Sequence, residues 1–259
     1  MTRPATVVEH AADEVAFRIA SGAYAPGTKL PSVRQLAEEH GINPSTVQVV
    51  LGRLQAAGLV DAHPRVGFVV RDIRLLGGIE TWRYLFRFSQ RLPDLAARML
   101  EDVLATRLLF VGRALHLIAG NPHRFDPGAV RRAIDQLELL VTTESDDVAP
   151  MAQAELHAVR MLIATAGLDV GLAVFNSIGE MILGVPEVVG ALYSAPPLKV
   201  VAWRAFLAAW ERGTLSQDGA ANIESFIREW DVTTVVRFRA ILEQERRPDR
   251  TRRRKAASA

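Results

Sequence analysis

The stretch from Lys29 to Val60, KLPSVRQLAEEHGINPSTVQVVLGRLQAAGLV, decides how the whole chain is read. Pro31 and Ser32 open a short helical pattern whose apolar positions, Val33, Leu36 and Ala37, share one face. Gly41 ends it as a left-handed cap. Asn43 then starts a second pattern, with Pro44 at the first helical position, where its missing N–H removes no bond. Val47, Val50, Leu51 and Leu54 follow at helical spacing, and Gly58 closes the run. Upstream, Val8, Ala12, Val15, Ala16 and Ile19 form another apolar stripe, broken by Gly22, Pro26 and Gly27. Downstream, LVDAHPRVGFVVRDI reads as strand, tight turn at His63 to Gly67, strand. The order is helix, helix, turn, helix, hairpin: a winged helix-turn-helix.

In such a module the third helix presents its start to the outside. Ser45, Thr46 and Gln48 lie there, away from Val47 and Leu51. Compact hydrogen-bonding side chains at a helix start suit base edges, and the amide N–H groups beside them suit phosphates. His63 and Arg65 in the wing are placed to reach a backbone or a minor groove. The same Ser45 and Thr46 also read as ordinary capping residues, and the five-element order is what favours double-stranded DNA as partner.

These residues carry a resemblance. SGAYAPGTKLPSVRQLAEEHGINPSTV…LGRLQAAGLV resembles the DNA-binding head of the GntR family of bacterial transcription regulators, over roughly residues 13 to 70. The resemblance implies contacts to DNA from Ser32, Arg34 and Asn43 as well, with Arg34 reaching phosphate or base. NPSTV differs from FadR-like members, which carry arginines where this chain has Pro44 and Gln48; it is similar to the YtrA-like branch. The operator of the FadR-like branch is therefore not transferred.

Beyond residue 72 the pattern changes. Long helical periodicities run from Leu75 onward with almost no strand signal, including one long helix after Pro93 that ends at Gly120. The expected architecture is mainly α: a winged helix-turn-helix domain at 1–72, an all-α helical bundle at 73–244, and a basic, unstructured tail at 245–259. ATRLLFVGRAL and AELHAVRMLIATAGLDVGLAVFNSIGEMI resemble the FadR-like (FCD-type) effector-binding and dimerising domain of one GntR branch. That likeness implies a homodimer and a small-molecule effector, and it places Arg107, Gln153, His157, Asn176, Tyr193, Trp203 and Trp230 around the effector. Relatives of this domain hold a metal with one Asp and three His. Here Gln153 stands at the Asp position, His157 at the first His, and the other two fall near Trp203 and near Glu229 or Trp230. No metal and no cofactor are expected. By the same resemblance the effector is apolar or amphipathic, a fatty acid or acyl-CoA, with Arg107 facing its carboxylate or phosphate. Trp203 and Trp230 read equally well as core filling. A small organic acid as effector, and a winged-helix module for protein contact without effector, stay open.

Composition bounds the rest. Of 259 residues, 49% are hydrophobic and none is Cys, which excludes disulfides and thiolate metal sites. The formal charge is +2, but RRPDRTRRRK (246–255) alone holds seven basic residues and one acidic, a net of +6 that leaves the remainder at −4. Net charge is thus no argument for nucleic acid. No apolar run long enough for a membrane helix and no signal-like start are read, so no membrane partner and a cytoplasmic location are expected. There is no Gly-rich phosphate loop, no nucleophile elbow and no His pair at ligand spacing, which argues against an enzyme.

Overall fold

The computed structural model describes residues 6–143 and 147–256, with side chains through Glu245. Residues 144–146 of the acidic loop and 257–259 of the tail lie outside the described residues. The chain divides into two compact units, 1–92 and 93–259.

In the first unit α1 (Val7–Ala20) starts on Thr6, whose side chain accepts from Glu9 N while Glu9 reaches back to Thr6 N. Its buried face is Ala11, Ala12, Val15, Ala16 and Ile19. α2 (Val33–His40) is capped by Ser32 in the same reciprocal way with Gln35, and Gly41 ends it at φ +63. α3 (Pro44–Ala56) starts on Asn43 and buries Val47, Val50, Leu51 and Leu54. The wing follows: β1 (Val60–His63) pairs antiparallel with β2 (Gly67–Val70), Val60 opposite Val70 and His63 opposite Gly67. Residues 27–30 extend this small sheet through Leu30 N to Phe68 O at 2.9 Å and Gly27 N to Val70 O at 2.8 Å. Leu30, Leu36, Leu51, Leu54, Leu59 and Val70 close the core between the three helices and the hairpin.

The unit does not stop at the wing. Asp72 caps α4 (Ile73–Leu76), and α5 (Ile79–Phe86) turns back on the head. Thr81 Oγ1 donates to Ala57 O at 2.8 Å, and Tyr84 OH donates to Asp13 Oδ1 at 2.7 Å. Arg91 pairs with Glu14 at 2.8 Å and lies 3.5 Å from the ring centre of Phe17. The break therefore falls at Leu92–Pro93, twenty residues after the sequence boundary at 72. The physical reason is these long-range contacts to α1, which helical periodicity in 73–92 does not reveal.

The second unit is all helix among the described residues: α6 (Pro93–Gly120), a 3-10 turn (Pro122–Arg124), α7 (Gly128–Thr142), α8 (Ala149–Thr165), α9 (Asp169–Leu183), α10 (Pro186–Leu192), α11 (Pro196–Glu211) and α12 (Gln217–Ala256). α12 packs along α6, α7 against α8 and α11, and α10 against α9 and α12. By length and composition α6 is apolar enough to cross a membrane, but half of its apolar window is buried in the bundle. Its inward residues, from Ala96 to Ala119, are the bundle's central packing surface. The tail expected to be unstructured is instead helical as far as Ala256. Once a helix is nucleated, Arg, Lys and Ala continue it at little cost, and composition alone hid that.

Candidate functional site

The outer face of α3 is uncovered. Asn43 Oδ1 accepts from Thr46 N at 2.7 Å, Ser45 Oγ at 2.6 Å and Thr46 Oγ1 at 2.9 Å. This fixes the helix start and uses one hydroxyl donor each from Ser45 and Thr46; their oxygens keep acceptor capacity. Ser45 and Gln48 are exposed and Thr46 is half-buried. Val49 is 59% exposed, on the same face as Ser45 one turn away. Sequence reading missed Val49 because it sits between Gln48 and the buried Val50; only the face on which it falls singles it out. An exposed valine there could meet a thymine methyl.

Ser32 is committed to its cap, and Arg34 is outward, 89% exposed, with a loose contact to Glu38 at 3.4 Å. A pair so exposed is worth little and leaves the guanidinium available. Three other arginines of the core module are engaged: Arg18 with Glu39, Arg53 with Glu9, Arg71 with Asp61. The bond from Arg71 holds the Asp61 carboxyl below its usual range, against the smaller opposing effect of burial. Among the described residues, Lys29, Arg65 and Arg74 pair with no acid. His63 and Arg65 stand exposed in the wing, with Val66 N donating to His63 O at 3.1 Å. Arg65 has φ +65, the left-handed region that non-glycine residues rarely occupy. The turn thus holds a long cation outward at a backbone position better suited to glycine. Lys29, missed by sequence reading, lies beside the wing, its Cε 3.6 Å from where a side chain on Gly67 would begin.

The bundle holds a second candidate site, a cavity of about 90 Å³ between α6, α8, α11 and α12. Val111, Leu115, Val159, Phe206, Ile223 and Ile227 supply its apolar wall, and Arg107, Glu155, Lys199, Trp203 and Trp230 its polar atoms. Arg107, Trp203 and Trp230 are thus brought together. Tyr193 stands one bond behind, its OH donating to Glu155. Gln153 and His157 do not reach the cavity; both are exposed. The inward i, i+4 pair of α8 is Glu155 and Val159, so the ligand positions inferred from the resemblance are out of register with the face that is buried. Asn176 is also exposed, accepting from Arg160 Nε at 2.8 Å on the outside of α8 and α9.

Glu155 and Lys199, neither anticipated, are the centre of the polar cluster. Lys199 Nζ lies 2.9 Å and 3.2 Å from the two carboxylate oxygens, and Trp203 Nε1 donates to one of them at 3.2 Å. Burial pushes the Glu155 carboxyl up, but the Lys199 charge and the bonds from Tyr193 and Lys199 together outweigh it and hold it below its ordinary value. Burial and the neighbouring Glu155 charge drive the Tyr193 hydroxyl well up. Arg107 Nη2 pairs with Asp231 at 2.6 Å, both side chains about nine-tenths buried. There burial wins, and the Asp231 carboxyl lies above its ordinary value despite the guanidinium. Arg107 engages it through one nitrogen only; among the described residues its Nε has no partner, nor does Trp230 Nε1, and both atoms are buried.

Residues 7–70 match the family described as bacterial regulatory proteins, gntR family. They form a GntR-family helix-turn-helix domain. The head is 45% identical over 65 residues to the HTH-type transcriptional regulator YjiR of Escherichia coli, a match covering 25% of this chain and 14% of YjiR. The HTH-type transcriptional regulator Mce2R of Mycobacterium tuberculosis is 32% identical over 140 residues, 54% of this chain and 55% of Mce2R. The chain thus spans about half the length of Mce2R. Among solved structures, the Listeria monocytogenes protein Lar, described as controlling expression of the agr system, superposes with a TM-score of 0.58 over 90% of this chain and 98% of Lar. At 15% identity that likeness shows the fold alone.

Proposed function

We propose that this chain is a DNA-binding transcriptional regulator, acting as a repressor, whose operator affinity is set by a small-molecule effector in the helical bundle. One observation carries the DNA-binding half: α3 is capped and packed on one face, while Ser45, Gln48 and Val49 on the other are exposed. Arg34, Arg65 and Lys29 supply cations without strong internal partners, which suits phosphate contact. A module built for protein contact would gain nothing from an outward cation held at φ +65.

The cavity supports the sensing half. Ligand that binds one arrangement of the protein better than another shifts its population and hence its DNA affinity. A homodimer on a two-fold operator is part of the proposal, because one helix-turn-helix reads only a half-site. Leu109, Val232 and Val236, all more than half exposed, line a groove between α6 and α12 and suit contact with a second copy. The fatty acid or acyl-CoA suggested by resemblance meets apolar walls, but about 90 Å³ accommodates only a few carbons unless side chains of α11 or α12 move. A smaller molecule, of the size of a short organic acid, fits without that movement. A regulator of this kind works in the cytoplasm beside its DNA, without catalysis.

Selection from a pool of randomised duplexes with the full chain tests the reading. Enrichment of a two-fold site is expected, with Gln48→Ala relaxing one base position and Arg34→Ala weakening every sequence alike. Equal retention of all duplexes at about 0.15 M salt, where screening already limits non-specific attraction, overturns it.

A further inference from the structure

Two residues that line the bundle cavity each hold a buried donor without a partner among the described residues, and the charges beside them are matched. Arg107 Nε and Trp230 Nε1 are buried without partners, and both residues line the same cavity. Leaving such groups unpaired is expensive, and a carbonyl oxygen, with two lone pairs, is the simplest group that satisfies them. Around them the charges already cancel. Lys199 is matched by Glu155 at 2.9 Å and Arg107 by Asp231 at 2.6 Å, two cations against two anions.

A carboxylate entering this wall would give up its hydration and find no unmatched cation, with Glu155 and Asp231 close behind. An uncharged acceptor uses the same two donors and loses far less on leaving water. The remaining wall is apolar, and the volume lies below the roughly 150 Å³ of an engineered cavity that takes up benzene.

We infer that the cavity takes a compact, uncharged organic molecule carrying one carbonyl-type acceptor: a ketone, ester, thioester or lactone rather than a free acid. The oxygen accepts from Arg107 Nε and Trp230 Nε1, and the hydrocarbon part lies against Val111, Val159, Phe206 and Ile227. This rests on the reading of the bundle as an effector site and narrows it.

The test uses the full chain and three probes of similar size: butan-2-one, propionate and n-pentane. Binding is read from the indole N–H resonances of Trp203 and Trp230, assigned with Trp→Phe variants. At pH 7 butan-2-one is expected to shift the Trp230 resonance and to bind at least about tenfold more tightly than propionate, the effect of one buried hydrogen bond. Trp230→Phe keeps a six-membered aromatic ring and removes the donor, and should weaken the ketone by about tenfold. Asp231→Asn adds one unit of positive charge and should move the preference toward propionate. If propionate or n-pentane equals or outbinds butan-2-one in the unaltered chain, the inference is overturned and the effector site stands. If none of the three shifts either indole, the effector site itself falls. The ranking in the unaltered chain decides even where a variant does not fold.

Discussion

The first four helices of the head each begin on a side chain that closes the open N–H groups: Thr6, Ser32, Asn43 and Asp72. In the bundle, α9, α10 and α11 begin on Leu168, Val185 and Ala195, none of which offers a cap. The head is small, so local bonds carry a large share of its order. The bundle is held by burial, with Phe175, Phe206, Trp210 and Leu162 among its hidden residues. The polar arrangement is also reversed. The head's ion pairs lie at its surface, whereas the bundle, besides surface pairs such as Arg131 with Glu211, carries two inside, Arg107 with Asp231 and Lys199 with Glu155.

The sharpest way to break this contrast is to unbalance the interior. Glu155→Ala leaves Lys199, 8% exposed, without its counter-charge. The bundle should lose about 3–5 kcal/mol, since an unpaired buried charge is worse than no charge. Glu155→Leu combined with Lys199→Met should recover most of it. Chemical denaturation followed at the bundle tryptophans measures both; equal losses for single and double variants would mean that the pair is not what the bundle depends on.

A cap removal tests the other side. Asn43→Ala should lower the stability of the head by about 1 kcal/mol and loosen the start of α3, because three bonds to one oxygen disappear. Operator affinity should fall more than stability does, as Ser45 and Thr46 lose their anchoring. Unfolding monitored by hydrogen exchange in α3, beside a DNA titration, separates the two; a change in stability with unchanged DNA affinity would detach the cap from recognition.

The contrast also explains what the sequence could disclose. Caps, Gly41 and the His63–Gly67 turn are local signals, so the order of helices and wing in the head is legible residue by residue. The bundle's helices are legible as periodicities, and α6 ends at Gly120 as its breaker suggests. Which face of α8 turns inward is not. Ala152, Ala154, Leu156, Ala158 and Val159 are all buried, so the stripe is too wide to tell whether Gln153 or Glu155 shares it. Packing against α7 and α9 decides, and it selects Glu155. Lys199 escaped for a related reason: a lysine in an apolar run reads as surface until its partner is known.

The wing offers a smaller and more diagnostic effect. Arg65→Gly relieves a left-handed backbone and should stabilise the head by about 1 kcal/mol. The same change removes a cation proposed to reach phosphate, so on that proposal operator affinity should drop and the slope of log affinity against log salt should flatten by about 1. Stability and binding move in opposite directions, which no purely structural role for Arg65 would produce. Thermal melts and DNA titrations at three salt concentrations check it.

Acid titration gives the finest test. Asp231 lies above its ordinary value of 3.8, so the folded bundle takes up that proton before the unfolded chain does, and stability rises slightly as pH falls through that window. Glu155 lies below its ordinary value of 4.5; its contribution is present above that value and is lost as pH falls through its lower folded value. The bundle's stability should therefore rise a little and then fall on acidification. In the head, Asp61 is shifted downward by its bond to Arg71, which predicts a fall without a preceding rise. Asp231→Asn should diminish the bundle's rise, leaving the part due to Glu245, whose carboxyl burial and the nearby Glu187 also push up, and should leave its fall. A rise that survives the substitution undiminished would place the responsible proton elsewhere, and the interior could no longer be counted as two matched pairs.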